Sequence, residues 1–203
     1  MDFDTERLAK VTTLHNGGHN PGEQMCAMEA VAFVAGEPWS DHPECASQVI
    51  GAFMRAWNDG LPDTERTELL LPLIPRLIGT KGSEALEQRR AAMAADWLIR
   101  VHAPAWLRLA KLDAQADALE RLPEITDFAQ CPSLMPTLEV VRTDAAAWAA
   151  AGDAARAAAW AAAGYAAWAA AGDAAWDALD STKKQLQQTA VHLVIRMCEA
   201  RDE

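Results

Sequence analysis

The segment Asp144–Ala178 constrains the fold more than any other, because 22 of its 35 residues are Ala. Alanine loses no side-chain entropy on entering a helix, so such a run favours one long helix over any strand. The segment repeats itself: Ala146–Ala157 reads AAWAAAGDAARA and Ala166–Asp177 reads AAWAAAGDAAWD. An offset of 20 residues turns the second copy by about 200°, so the copies point to opposite sides of a continuous helix. Between them lie the 16 uncharged residues Ala157–Gly172, apolar all round, the pattern of a helix enclosed by others. Trp148, Trp160, Trp168 and Trp176 fan out at different azimuths, and Gly152, Gly164 and Gly172 leave notches for neighbouring side chains. Unbroken, the segment would reach roughly 52 Å, against a diameter of about 43 Å for a domain of this length. A bend near Gly164 is expected, and the excess length leaves room for a homo-oligomer.

Elsewhere no run alternates with period two, while helix starts and stops are frequent. The reading is all-α: a compact bundle of about seven to nine helices around the Ala/Trp-rich one. A first helix starts at Asp4. A loop His15–His19 precedes Asn20-Pro21-Gly22-Glu23, which has the cap, first-turn proline and acidic third position of a helix start. That second helix is expected to run to Ala35 and stop at Gly36. Asp41 and Glu44 resemble a capping box for a third helix with Val49, Ile50, Phe53 and Trp57 inward. Pro72 and Pro75 break the next helix, and Ser83 caps a fifth that buries Leu86, Arg90, Met93, Trp97 and Val101. Residues 123–143, with Pro123, Pro132 and Pro136, read as a long irregular connection. Residues 1–203 form one helical domain in this reading, with a subdomain boundary in 123–143 between 1–122 and 144–203. A final helix capped by Asp180 or Ser181 packs Leu186, Leu193, Val194 and Met197 inward.

Charge and cysteine content narrow the function. The chain has 18 Lys+Arg against 29 Asp+Glu, a net charge of -11. Such a surface is unsuited to phosphate backbones or an anionic bilayer, so no nucleic-acid or membrane partner is expected. The Trp-rich segment has one cation, Arg156, too few for a single-strand groove. The first residues, MDFDTERLAK, lack the apolar core of a signal peptide. Four cysteines in 203 residues are too sparse for a disulfide scaffold, so a reducing cytoplasm is expected.

The run from Met25 to Cys45, MCAMEAVAFVAGEPWSDHPEC, resembles a group of uncharacterised proteins from actinobacteria and their phages. Asp96-Trp-Leu-Ile-Arg100, Pro104-Ala-Trp-Leu-Arg-Leu109 and the Ala/Trp-rich helix share that resemblance, which covers nearly the whole chain. It implies a phage or bacterial-defence setting and assigns no reaction. Composition alone also resembles the alanine-rich helices of toxin-immunity proteins.

The chemistry concentrates in the second helix. Glu29 falls about 40° from Met25, between Met25 and Phe33 on an otherwise apolar face. A carboxylate there must be paired, hydrogen-bonded or protonated. His15, His19 and His42 lie on the flanking loops; in the purely structural alternative Glu29 caps a loop or pairs with an arginine such as Arg55 or Arg90. The expected site is a polar pocket where the 15–20 and 37–45 loops meet: Trp39 stacks, His15, His19 and His42 donate hydrogen bonds, Asp41 lines it and Glu29 orients the rest. It takes a small molecule or a protein partner, and no cofactor is required. Two enzyme alternatives use the same groups. Cys26 is a candidate nucleophile if an imidazole lowers its pKa, and His15, His19, Cys26, His42 and Cys45 supply zinc-type donors without a rigid ligand spacing. A third alternative is a scaffold or immunity-type protein binding a protein partner.

Overall fold

The computed structural model describes residues 3–22 and 24–202, with the backbone alone at 148 and 151–178. Among the described residues the chain is all helical, without a strand. The α-helices are α1 (Thr5–Lys10), α2 (Ala27–Ala35), α3 (Gln48–Gly60), α4 (Asp63–Leu70), α5 (Ile74–Leu77), α6 (Glu84–Trp97), α7 (Ala103–Leu109), α8 (Asp113–Glu120) and α9 (Cys131–Glu199). No helix among the described residues is long and apolar enough to cross a membrane.

Several boundaries follow local chemistry. Asp4 caps α1, accepting the Glu6 and Arg7 N–H groups at 2.9 Å each. Gly36 ends α2 in the left-handed region at φ 77°, where a Cβ would be strained. The Ser83 hydroxyl accepts the Leu86 N–H at 3.2 Å and opens α6. Pro72 and Pro75 break the chain between α4 and α5 through the 3-10 turn Leu71–Leu73. Ahead of Pro104, whose ring would collide with the Arg100 carbonyl in a regular helix, α6 passes into a π-turn, Leu98–His102, that re-phases it into α7.

Other starts differ from the sequence reading. Asn20-Pro21 does not open α2: Gly22 adopts φ 86° and the chain turns, so α2 begins at Ala27 with Cys26 as its N-cap. Glu23, the expected partner of Asn20, lies outside the described residues. Asp41 and Glu44 do not cap α3 either; the Ser47 hydroxyl does, accepting the Ile50 N–H at 3.2 Å. The inward face of α3 is Ile50, Gly51, Met54 and Asn58, with Val49, Phe53 and Trp57 half-buried. In α6, Leu86 and Arg90 are buried as expected, Met93 and Trp97 are half-buried, and Val101 is exposed.

Residues 123–143 are not an irregular connection. After a 3-10 turn, Phe128–Gln130, α9 starts at Cys131. Pro132 falls in its first turn, where N–H groups lack helical partners anyway, and Pro136 lies within the helix. No separate final helix exists: α9 continues through Asp180 and Ser181, and Asp180 pairs with Lys184 at 2.7 Å. The helical backbone is uninterrupted through Gly164. The enclosure of Trp160, Trp168 and Trp176, and the packing at the glycines, concern side chains outside the described residues.

The chain divides into two units, 1–91 with 190–203, and 92–189. Residues 123–143 lie wholly in the second. The first has a core of Leu14, Met28, Val31, Ile50, Met54, Ile74 and Leu77, with Leu193, Val194 and Met197 of α9 at 2% exposure or less. In the second, Leu107, Ala116, Leu119 and Val141 form one apolar cluster, and Ala92, Ile125 and Leu134 another.

Candidate functional site

The first unit holds a buried carboxylate with an unusual set of partners. Glu29 sits at the third position of α2, one turn above Cys26, so its side chain curls back over the helix N-terminus. Oε2 accepts the Cys26 N–H at 2.7 Å, the acidic half of a capping box. Oε1 accepts the His19 N–H at 2.6 Å, and Oε2 lies 2.9 Å from His19 Nδ1. Glu29 is 2% exposed. Burial alone would raise its pKa, but the Cys26 and His19 N–H groups and the His19 ring outweigh it, and the carboxyl titrates below its ordinary range. Of the structural alternative, the loop cap is present, in the His19 N–H contact, and the arginine pair is not: Arg55 donates to the Asp41 carbonyl at 3.0 Å, and Arg90 pairs with Glu87 at 2.8 Å.

A carboxylate facing Nδ1 fixes the imidazole. Facing an ionised carboxylate, Nδ1 is the donor of that pair, and Nε2 is the ring nitrogen left out of it. The Trp39 indole N–H donates to the His19 carbonyl at 2.8 Å and fastens the second loop to the first. That loop is closed by the Glu44 N–H donating to Glu37 Oε2 at 2.7 Å. Within it, the His42 N–H donates to Ser40 Oγ at 3.0 Å, and His42 Nδ1 meets Asp41 Oδ1 at 2.6 Å.

The first loop is held by groups that the sequence reading missed. Asn58, fully buried on α3, donates from Nδ2 to the His15 carbonyl at 2.8 Å and accepts the Ala27 N–H at 3.2 Å. It thus serves the loop and the first residue of α2 together. Asp59 accepts the Gly17 N–H at 2.8 Å, which, with the Asn58 amide, lowers its pKa despite some burial. The Thr67 hydroxyl accepts the Leu14 N–H at 2.9 Å. The available signal was Asn58 itself, an amide four residues past Met54 on the inward stripe of α3.

These contacts surround a cavity of about 560 Å³ lined by Gly18, His19, Asn20, Glu29, Trp39, Ser40 and Asp41. Four of the expected site residues, His19, Glu29, Trp39 and Asp41, thus come together. Two do not line it. His15 stands behind, its ring edge-on to His19 with centroids 6.1 Å apart. His42, 66% exposed, lines a separate cavity of about 860 Å³ with Glu44, Gln48, Arg55, Lys81 and Glu84. Asn20 and Ser40 enter as lining groups without having been singled out for that role.

The cysteines are arranged for packing. Cys26 is an N-cap, where the helix dipole would favour a thiolate, yet burial and the adjacent Glu29 carboxylate push its thiol up to about 11. That shift is opposite in direction to the lowering that the nucleophile alternative calls for. Burial and Glu37 push Cys45 up to about 11 as well. The zinc-type donors do not converge: His19 and His42 both commit Nδ1 to carboxylates and face different cavities. Among the described residues no group of three or more His, Cys, Asp or Glu side chains is placed to hold a metal ion. Comparisons with protein-family models, curated proteins and solved structures find no match to this chain.

Proposed function

We propose that this chain is a binding or sequestering protein whose site is the cavity between the 15–20 and 37–45 loops. One observation carries the reading: a buried carboxylate, besides capping α2 through the Cys26 N–H, holds His19 by both its backbone N–H and its ring at the wall of a cavity. A helix cap needs only the Cys26 contact. The two further contacts to His19 order a loop and fix a tautomer, which is the preorganisation a binding site requires. Resemblance to actinobacterial and phage proteins supports a phage or bacterial-defence setting, and four free cysteines are consistent with a reducing cytoplasm.

Thermal-shift screening against nucleotides and metabolites tests the reading. A ligand should raise the melting temperature, and His19→Ala should remove that response. Equal responses from the two proteins would place the binding elsewhere.

A protein partner is a second reading, favoured by exposed apolar side chains in the second unit. Leu98, Phe128, Met135 and Val140 are 52, 46, 54 and 61% exposed. Association through them would appear as a mass above 22.0 kDa in light scattering, and Leu98→Lys with Val140→Lys should restore the single-chain mass.

A further inference from the structure

We propose that the cavity beside His19 takes a small organic ammonium ion, an inference that rests on reading that cavity as a binding site. Its lining contains two carboxylates, Glu29 and Asp41, and among the described residues no Lys or Arg. Gly18, Asn20, Trp39 and Ser40 are neutral. The cavity therefore carries a net negative charge whether the His19 ring is neutral or protonated.

The neighbouring arginine does not cancel it. Arg55 reaches the carbonyl of Asp41, not its carboxylate, and lines the other cavity. Glu29 is met by two backbone N–H groups and a ring N–H, which are dipoles while the ring is neutral. His42 approaches one oxygen of Asp41, leaving Oδ2 as an acceptor. Asp59, behind the first loop on the Gly17 N–H, adds negative charge nearby. Phosphates and carboxylates entering such a cavity would be repelled, whereas an ammonium ion supplies the missing charge.

Hydrogen-bond polarity agrees with the charge. Asp41 Oδ2 is an acceptor, and an ammonium group is a donor without acceptor capacity. The Trp39 N–H is already committed to the His19 carbonyl, so what its indole offers a ligand is the ring. Aromatic rings at a cavity wall favour organic cations over neutral molecules of the same size. The site is open to solvent on one side, so the organic body of an ammonium ion can lie along the Trp39 side while its charged end meets Asp41.

Three probes of matched bulk and different charge test this by calorimetry in an amine-free buffer: phenethylammonium, 2-phenylethanol and phenylacetate. The ammonium should bind at least about tenfold more tightly than the alcohol, and phenylacetate more weakly than either. Asp41→Asn should reduce the preference for ammonium over alcohol by about tenfold. Tighter binding of phenylacetate, or an unchanged preference in Asp41→Asn, overturns the proposal. So does failure of all three while a neutral or anionic metabolite gives a response lost in His19→Ala; the cavity would then be a binding site of other chemistry. Absence of any His19-dependent ligand overturns both readings.

Discussion

Glu29 shows how one side chain decides the character of its surroundings. Its three N–H partners stabilise the carboxylate over the carboxylic acid, so its pKa is depressed on folding. A depressed pKa contributes stability that is complete above the unfolded value, about 4.3, and is lost as pH falls through the folded value. Urea unfolding at pH 6 and pH 3.5 should therefore show a loss in the native protein that is smaller in Glu29→Gln. The substitution itself should cost about 2 kcal/mol at pH 6, because the amide NH₂ cannot accept the N–H groups facing it. Equal pH dependence in the two proteins would mean that the carboxylate is not held as described. The position of Glu29 on an apolar face was legible in the sequence. His19 was legible only as one of three candidate imidazoles, and the backbone partners were not, because periodicity locates a helix face but cannot tell which loop N–H groups will lie against it. The same limit hid Asn58, two of whose contacts belong to residues 31 and 43 positions away.

At the level of elements, stops were more legible than starts. Gly36, Pro72 and Pro75 act through their own backbone constraints, which hold in any surroundings. Capping signals are weaker: Asn20-Pro21 has the right residues, yet Gly22 takes the chain into a turn. Pro132 misled in the opposite sense, since a proline that breaks a helix interior is harmless in a first turn. The end of α7 carries a device invisible to composition. Leu112 N–H donates to the Leu107 carbonyl and Lys111 N–H to that of Arg108, both at 2.9 Å, closing a Schellman motif. Its left-handed position, at φ 63°, is filled by Lys111 where glycine is usual. Lys111→Gly should therefore stabilise the protein by about 0.5–1 kcal/mol, read as an increased urea midpoint with an unchanged slope. A decrease would show that the lysine side chain contributes more than its backbone costs.

On the scale of the whole molecule, the first unit draws its residues from both ends of the chain, and Arg90 ties them together. Its side chain is 1% exposed; Nε donates to the Met197 carbonyl at 2.9 Å, and Nη1 to the Thr80 carbonyl at 2.6 Å and to Glu87 at 2.8 Å. Removing it takes the Arg90 donor from carbonyls at the end of α9 and from Glu87 Oε1, while Glu87 Oε2 keeps the Ser47 hydroxyl and the Val49 N–H. Arg90→Ala should cost about 3–5 kcal/mol, a large share of an ordinary domain's stability. Arg90→Lys should recover less than half of that, since one ammonium cannot span all three acceptors. Urea unfolding of both variants measures this, and full recovery by lysine would reduce the role of Arg90 to charge alone. The sequence placed Leu193, Val194 and Met197 inside but did not show which part of the chain receives them, because the intervening residues 92–189 form a unit of their own.

That arrangement has a consequence during synthesis. A ribosome adding about 5–20 residues per second emits residues 190–203 roughly 5–20 s after residue 91. Throughout that interval the nascent segment bearing His19 and Glu29 has its apolar interior open, without the side chains that seal it. The loops around the cavity are therefore complete in sequence well before they are secure in structure, and a chaperone has ample time to meet the unsealed surface first.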